Sequence, residues 1–459
     1  MSWLNGTANG NLIPNMPSSG LADVVRATTD PLTGGLENFR VGGTAIPPQL
    51  LSSYGVADGA KKGDLLYRFT SAAALTGTGS QTIDDSPSVT WDGSGTIKLD
   101  VAANGTGGVQ ITGLSSPVRV KTLTLVCYVP DYTAVKKIQP YVSQGATLTP
   151  NYIQYPNYTP SASGQRNYNG WHFVDVTTDM WTTAASGVVA DGTTAKVLRV
   201  DLQAETAKAA TIYIAAAYLN LKNRPRIFFT FDDGRKSVIQ NAFPIAQDYN
   251  IPCTSYIIPP VLGTTGATNF MTQDDVDVLH DAWWCIANHA YNSSQAVTSD
   301  SFSEIGLSAY ISQVEQCRDW LDSYGYRGAR HHAYVEGSYD GTLVDAMAAA
   351  GMLTGRTIAG NVGTGAQGEI HSLGSHRQFV INGGVQLNST NVLATVEAEV
   401  DRAIRDGRDL IITGHDILTT AEGGATATSW TTADFATLCG YVADLRAKGR
   451  CDILPMDRF

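Results

Sequence analysis

Basic side chains, long apolar runs and cysteine are all scarce in this 459-residue sequence. Lys and Arg number 31 against 42 Asp and Glu, the formal net charge is -11, and the basic residues form no cluster. Nucleic acid is held through clustered Lys and Arg on its phosphates, so nucleic acid is excluded as a main partner. A bilayer-spanning helix needs about 20 consecutive apolar residues. No such stretch occurs, so no membrane span is expected. The opening residues Met1 to Gly6 carry neither the basic segment nor the apolar core of a secretory signal. The six cysteines, Cys127, Cys253, Cys285, Cys317, Cys439 and Cys451, stand at wide, irregular spacing. They form neither a metal knuckle nor a disulfide framework, and buried reduced thiols are expected.

What remains is a folded protein in several parts. The hydrophobic fraction is 43% and the charged fraction 16%, and this length calls for two or three cores. Residues 1–64 are rich in Gly, Asn, Pro, Thr and Ser, with turn-like runs such as Val41 to Pro48. They read as an attachment or linker segment. Residues 65–222 alternate polar and apolar with period two, as in Thr96 to Val101, Val118 to Leu125, Val197 to Leu202 and Thr211 to Ile214. Turn residues separate these runs, which predicts a β-sandwich of jelly-roll type. Trp91, Trp171, Tyr152, Tyr155 and Tyr158 are candidates for a carbohydrate-binding surface, since aromatic faces stack on sugar C–H groups. The alternative is packing in the core or loops.

Residues 223–459 change to alternating strands and helices. Strands are expected at Arg226 to Phe231, Thr254 to Ile258, Trp283 to Ala287, near Ala333, at Asp409 to Thr413 and at Asp452 to Leu454. Helices are expected at Lys236 to Tyr249, after Thr272, and at Glu304 to Tyr324, Thr342 to Ala350, Val392 to Arg405 and Thr432 to Lys448. Repeated βα units predict a distorted (β/α) barrel, whose chemistry belongs at the C-terminal ends of the strands.

The most informative run is Thr230-Phe231-Asp232-Asp233-Gly234. Neighbouring side chains on a strand point to opposite faces, so both acids reach one site only through a bend, which Gly234 permits. Two such close carboxylates repel unless a cation or a proton separates their roles, which suggests a metal ligand beside a general base. His289 and His415 each follow an apolar strand. Singly, such a histidine is more often a hydrogen-bonded structural residue; together with the two acids, a convergent site is the favoured expectation.

These residues resemble the polysaccharide deacetylases of carbohydrate esterase family 4, over Arg226 to the C-terminus. The Thr-Phe-Asp-Asp-Gly motif is present unchanged. The resemblance implies Asp232 as catalytic base and Asp233 as ligand to a divalent metal, zinc by analogy. The second motif begins at His289, but its second histidine falls on Ser293, preceded by Asn292. The third ligand is then Asn292, Ser293, a water, or one of His331, His332 and His376. The third motif aligns with His332-Ala333-Tyr334-Val335-Glu336-Gly337, with Val335 in place of proline. This implies substrate contacts at Tyr334, Glu336 and Gly337, with backbone N–H groups facing the oxyanion. The arginine that holds the catalytic Asp aligns best with Arg377 and second best with Arg330, and His415 aligns with the general acid.

The implied activity is metal-dependent removal of acetyl groups from a surface polysaccharide such as a capsule or O-antigen. The alternative is a catalytically inactive glycan-binding module. A Gly- and Asn-rich start, a sandwich and a glycan-active unit together look like a phage tail fibre or tailspike. That setting implies an extracellular or virion-associated homotrimer, although an exported enzyme stripped of its signal segment would read the same.

Overall fold

The structure is a computed structural model. It describes residues 64–459 apart from 92–93, 115–118, 121, 144, 149–151, 155–157, 160–168, 178–181, 185–192, 221–224, 266–268, 292–300, 359–378, 380 and 382. Tyr155, Asn292, Ser293, His376 and Arg377, together with residues 1–63, therefore lie outside the described residues.

Two six-stranded antiparallel sheets form the first unit. One runs Gly170–Thr177, Thr122–Val129, Ala210–Leu219, Ser94–Val101, Gln81–Trp91, with Asp64–Arg68 also paired to Ala210–Leu219. The other runs Thr182–Ala184, Tyr152–Gln154, Val135–Ser143, Val197–Ala204, Thr106–Ile111, Thr76–Gly79. The period-two pattern places alternate residues inward. Leu99, Leu125, Cys127, Ile138, Val142, Leu198, Val200 and Ile212 share one core between the sheets.

Of the aromatic candidates for a sugar surface, the described ones follow the packing alternative in whole or in part. Trp91 and Trp171 are each 1% exposed and pack together, ring centroids 4.9 Å apart, in a second cluster with Val126 and Ala216. Tyr158 is buried and hydrogen-bonds His172 Nδ1 at 2.8 Å. Tyr152 is half-buried against Tyr141. The large apolar area of each Trp ring favours burial over display. Thr124, on the same sheet as Trp171, accepts a hydrogen bond from Arg408 of the second unit at 3.3 Å.

The second unit is a curved parallel sheet covered by helices. We number its strands β1 (Arg226–Phe231), β2 (Thr254–Ile257), β3 (Cys285–Asn288), β4 (Gly328–Ala333), β5 (Thr354–Arg356), β6 (Val385–Gln386), β7 (Leu410–Gly414) and β8 (Asp452–Ile453). Their order is β5-β4-β3-β2-β1-β7-β6, with β8 paired to the first residues of β1. A parallel bridge from Arg356 to Ile381, just ahead of β6, links the two ends of the sheet. The result is a distorted barrel of the expected class.

Most helices fall where the periodicity places them. Thr272 caps Gln273–Asp281 with a full capping box. The long helix differs: Gly306 adopts φ 78° and divides it into Phe302–Ile305 and Leu307–Ser323. The segment after β1 begins its helix with a π-helical turn at Val238–Ala242. All six cysteines are buried thiols. Among the described residues, no helix is long and apolar enough to cross a membrane.

Candidate active site

Alternation along β1 decides where the two acids go. Ile227, Phe229 and Phe231 face the helices, in a cluster with Trp284 and Phe435. Phe228 faces the barrel interior with Tyr256, Ala287, Ala333 and Ile411. Thr230 follows on the interior side and meets Thr413 of β7, Oγ1 to Oγ1 at 3.3 Å. The next interior positions are Asp232 and His415. The Asp232 N–H donates to Gly414 O at 2.9 Å, which locks the two strand ends together. The barrel mouth is therefore built one layer above a threonine pair.

Asp233 reaches the same mouth because the chain turns there. Both Asp233 (φ 70°) and Gly234 (φ 73°) occupy the left-handed region. The bend thus begins at the acid itself, which Asp tolerates better than most residues. Ala290 (φ 64°), after β3, and Glu336 (φ 56°), after β4, are likewise left-handed. Left-handed non-glycine residues cost about 1 kcal/mol or more each, and three of them ring one strand-end surface.

Asp232 and Asp233 are each 3% exposed, so each needs a cationic or hydrogen-bonding partner. Asp232 Oδ1 accepts from Arg356 Nη2, and Arg356 is itself 1% exposed with its guanidinium 4.9 Å from the Tyr256 ring centroid. Asp233 Oδ2 accepts from Arg235 Nε at 3.0 Å and Nη2 at 2.7 Å. Asp233 Oδ1 lies 3.3 Å from His289 Nε2. Burial pushes the Asp233 carboxyl upward, but the His289 hydrogen bond and the charges of His415, His289 and Arg235 outweigh it and carry it well below the carboxylate range. Burial also pushes His289 down, yet the hydrogen bond to Asp233 and the two carboxylate charges hold it above its ordinary value.

A backbone carbonyl orients the His289 ring, and a buried relay lies beside it. The ring Nδ1 bonds Ala333 O at 2.9 Å, so Nδ1 carries the proton and Nε2 faces Asp233. Tyr310 OH accepts from the Val335 N–H at 3.0 Å, and because Asn288 Oδ1 can only accept from His332 Nδ1, the neutral His332 offers Nε2 to the Tyr310 O–H at 3.0 Å. His332 Nδ1–H then donates to Asn288 Oδ1 at 3.0 Å, which also accepts the Ala290 N–H at 2.9 Å. His332 stays neutral: burial first, then the nearby His289 and Arg356 charges, lower it well below the usual range. Each polar atom in this set of bonds has a partner, which ties the ends of β3 and β4 together at Asn288, Ala290, His332 and Val335.

Several expected residues lie elsewhere. Arg330 pairs with Asp322 at the surface (3.0 Å) and does not hold Asp232; the arginine that does is Arg356, 124 positions downstream of its partner. Arg377 lies outside the described residues. His331 bonds Thr354 Oγ1 at 3.0 Å, and both ring nitrogens of His332 are engaged. Neither is placed as a third metal ligand. Tyr334 is buried; its OH donates to Phe379 O and its N–H to Arg356 O, so that amide is engaged within the protein. The Gly337 N–H donates to Tyr334 O, and Glu336 is exposed.

The donor chemistry at Asp233 Oδ1 and His289 Nε2 fits a divalent ion. One is an ionised carboxylate oxygen; the other is a ring nitrogen whose opposite nitrogen is tied to a carbonyl, the usual outer-shell arrangement for a ligating histidine. Among the described residues no cluster of three or more His, Cys, Asp and Glu side chains completes a metal set. The predicted third position, at Asn292 or Ser293, lies outside them.

The Asp232–Arg356 pair generates a stability prediction. Removing one member of a buried pair leaves the other uncompensated, at a cost of about 3–5 kcal/mol. Arg356→Met is expected to show that loss in chemical denaturation, and Asp232→Asn combined with Arg356→Met is expected to recover part of it. A single variant within about 1 kcal/mol of wild type would contradict the pairing.

Residues 220–355 match the family model for polysaccharide deacetylase. The chain is 23% identical over 164 residues to the poly-beta-1,6-N-acetyl-D-glucosamine N-deacetylase of Staphylococcus epidermidis, covering 34% of this chain and 57% of that relative. It thus spans little more than half of that protein's length. Among solved structures it is similar to a family 4 carbohydrate esterase from Streptomyces lividans in complex with acetate (18% identity, 50% of this chain, 91% of that chain, TM-score 0.31). The family 11 carbohydrate-binding module from Clostridium thermocellum, in complex with a mixed-linked tetrasaccharide, is another (10% identity, 34% and 94%, TM-score 0.25). Residues 220–355, which run from the start of the second unit into β5, are thus similar to the polysaccharide deacetylase family.

Proposed function

We propose that the barrel unit hydrolyses acetyl groups on a polysaccharide. The observation that carries this reading is the convergence of Asp232, Asp233 and His289 at the C-terminal ends of β1 and β3, with His415 directly after the Gly414 carbonyl that Asp232 bonds. Acetylated surface polysaccharide, such as a capsule or O-antigen, is the substrate class we propose. The family match supports the chemistry.

Asp233 Oδ1 and His289 Nε2 would hold a divalent ion, which we propose to be zinc. When bound, the ion supplies a Lewis acid for the acetyl carbonyl and lowers the pKa of a coordinated water. Arg356 holds Asp232 Oδ1, which fixes the carboxylate and leaves Oδ2 as the atom that takes the proton of the attacking water. Arg356 also keeps Asp232 paired with positive charge while it waits as a base. His415, in the same layer of the mouth, gives its proton to the departing nitrogen or oxygen of the sugar. Its strand is braced by Ser237 Oγ, which donates to the neighbouring Asp416 Oδ1 at 2.6 Å.

Acetate release from acetylated polysaccharide tests this assignment. Asp232→Asn is expected to reduce release to background with the circular dichroism spectrum retained. His415→Ala is expected to lower kcat/KM by about 10²–10³-fold, the scale of one positioned proton donor. Wild-type turnover in Asp232→Asn would remove that residue from the mechanism. Glycan binding by wild type with no acetate release, even with added zinc, would favour the non-catalytic binding module.

The setting we propose is a tail fibre or tailspike, supported by the composition of residues 1–64 beside a sandwich and a glycan-active unit. Light scattering on the full chain is expected to give the mass of a trimer, and the mass of one chain would contradict the setting.

A further inference from the structure

Arg235 follows the left-handed bend at Asp233 and Gly234 and is held through both its backbone and its guanidinium. Its backbone forms an antiparallel bridge with Phe270, and the adjoining Lys236 N–H and Gly234 O bond Asn269 O (2.8 Å) and the Met271 N–H (2.9 Å). Its guanidinium lies 5.5 Å from the Phe270 ring centroid and donates both Nε–H and Nη2–H to one oxygen, Asp233 Oδ2. The side chain is 15% exposed. This is a preorganised, charged contact rather than a solvated arm.

The two carboxylates of the mouth therefore each have an arginine of their own, Arg356 on Asp232 and Arg235 on Asp233. A divalent ion on Asp233 Oδ1 would share its carboxylate with a fixed positive charge on Oδ2. Like charges at such separation repel strongly where water is excluded. The guanidinium also occupies the oxygen that bidentate coordination would use.

We propose that Arg235 sets the metal affinity of the site: it confines Asp233 to one-oxygen coordination through Oδ1 and holds a divalent ion weakly and exchangeably beside His289. This rests on the reading of Asp233 and His289 as metal ligands. Arg235 is a positioning residue, acting on the ion through Asp233. The sequence position that follows the Asp-Asp-Gly turn thus tunes the ion from outside its ligand set, while the residues that hold it stay unchanged.

The test is direct binding of Co²⁺ to the full chain, followed by its visible absorption and by equilibrium dialysis, without any substrate. Wild type, Arg235→Gln, Arg235→Lys, Asp233→Asn and His289→Ala are compared, each checked by thermal melting. Arg235→Gln keeps a hydrogen-bond donor and removes the charge. It is expected to bind Co²⁺ at least about tenfold more tightly than wild type, the scale on which outer-shell partners tune metal sites. Arg235→Lys keeps the charge and is expected to stay near wild type, which keeps the test informative if Arg235→Gln folds poorly: tightening in the Lys variant equal to that expected for Gln would overturn the charge argument. Binding that Asp233→Asn and His289→Ala abolish but Arg235→Gln leaves unchanged or weakens would overturn the role of Arg235 alone. No specific Co²⁺ absorption in either wild type or Arg235→Gln would overturn the metal-site reading and this inference with it.

Discussion

Two adjacent carboxylates, each almost fully out of water, are the constraint around which the barrel mouth is arranged. Asp232 and Asp233 are both 3% exposed, and an unpaired buried carboxylate is far too costly to persist. The fold answers with positive charge from separate parts of the chain. Arg356 arrives from the end of β5, His289 from the end of β3, and Arg235 from the turn itself. A parallel sheet that brings many strand ends to one rim makes such convergence possible. The same alternation that buries Phe228 and Ile411 inside the barrel carries Asp232 and His415 to its opening.

Rigidity at the mouth comes from polar bonds as much as from packing. The Tyr310–His332–Asn288 relay ties the ends of β3 and β4 together, and a separate bond from Nδ1 to Ala333 O orients the His289 ring. Left-handed backbone at Asp233, Ala290 and Glu336 persists because surrounding bonds determine it. Bonds of this kind carry the precision that a hydrolytic site requires, since misplacement of a proton donor or acceptor costs rate steeply.

Much of this was readable from local pattern. The apolar run before Asp232, the period-two strands of the sandwich and the capping signal at Thr272 are short-range properties, and the coordinates place them where the pattern does. The partner of Asp232 was not readable, because nothing local to Thr354-Gly355-Arg356 separates that arginine from Arg330 or Arg377. Only the parallel pairing of β4 with β5 brings it to the rim. Arg235 was in plain view beside the motif, but its charge acquires meaning only with the distance to Asp233. For Trp91 and Trp171 aromatic identity alone left display and packing both open, and their shared cluster with Val126 and Ala216 shows packing.

The claim on which the account rests is that Asp233 and His289 share one cation at the mouth that also holds Asp232 and His415. Anomalous scattering from crystals of the full chain soaked in a divalent transition metal measures this directly. The account predicts a peak in bonding contact with Asp233 Oδ1 and His289 Nε2. A saturated soak whose peaks lie elsewhere, or a crystal structure in which those two atoms stand too far apart to touch one ion, would contradict it.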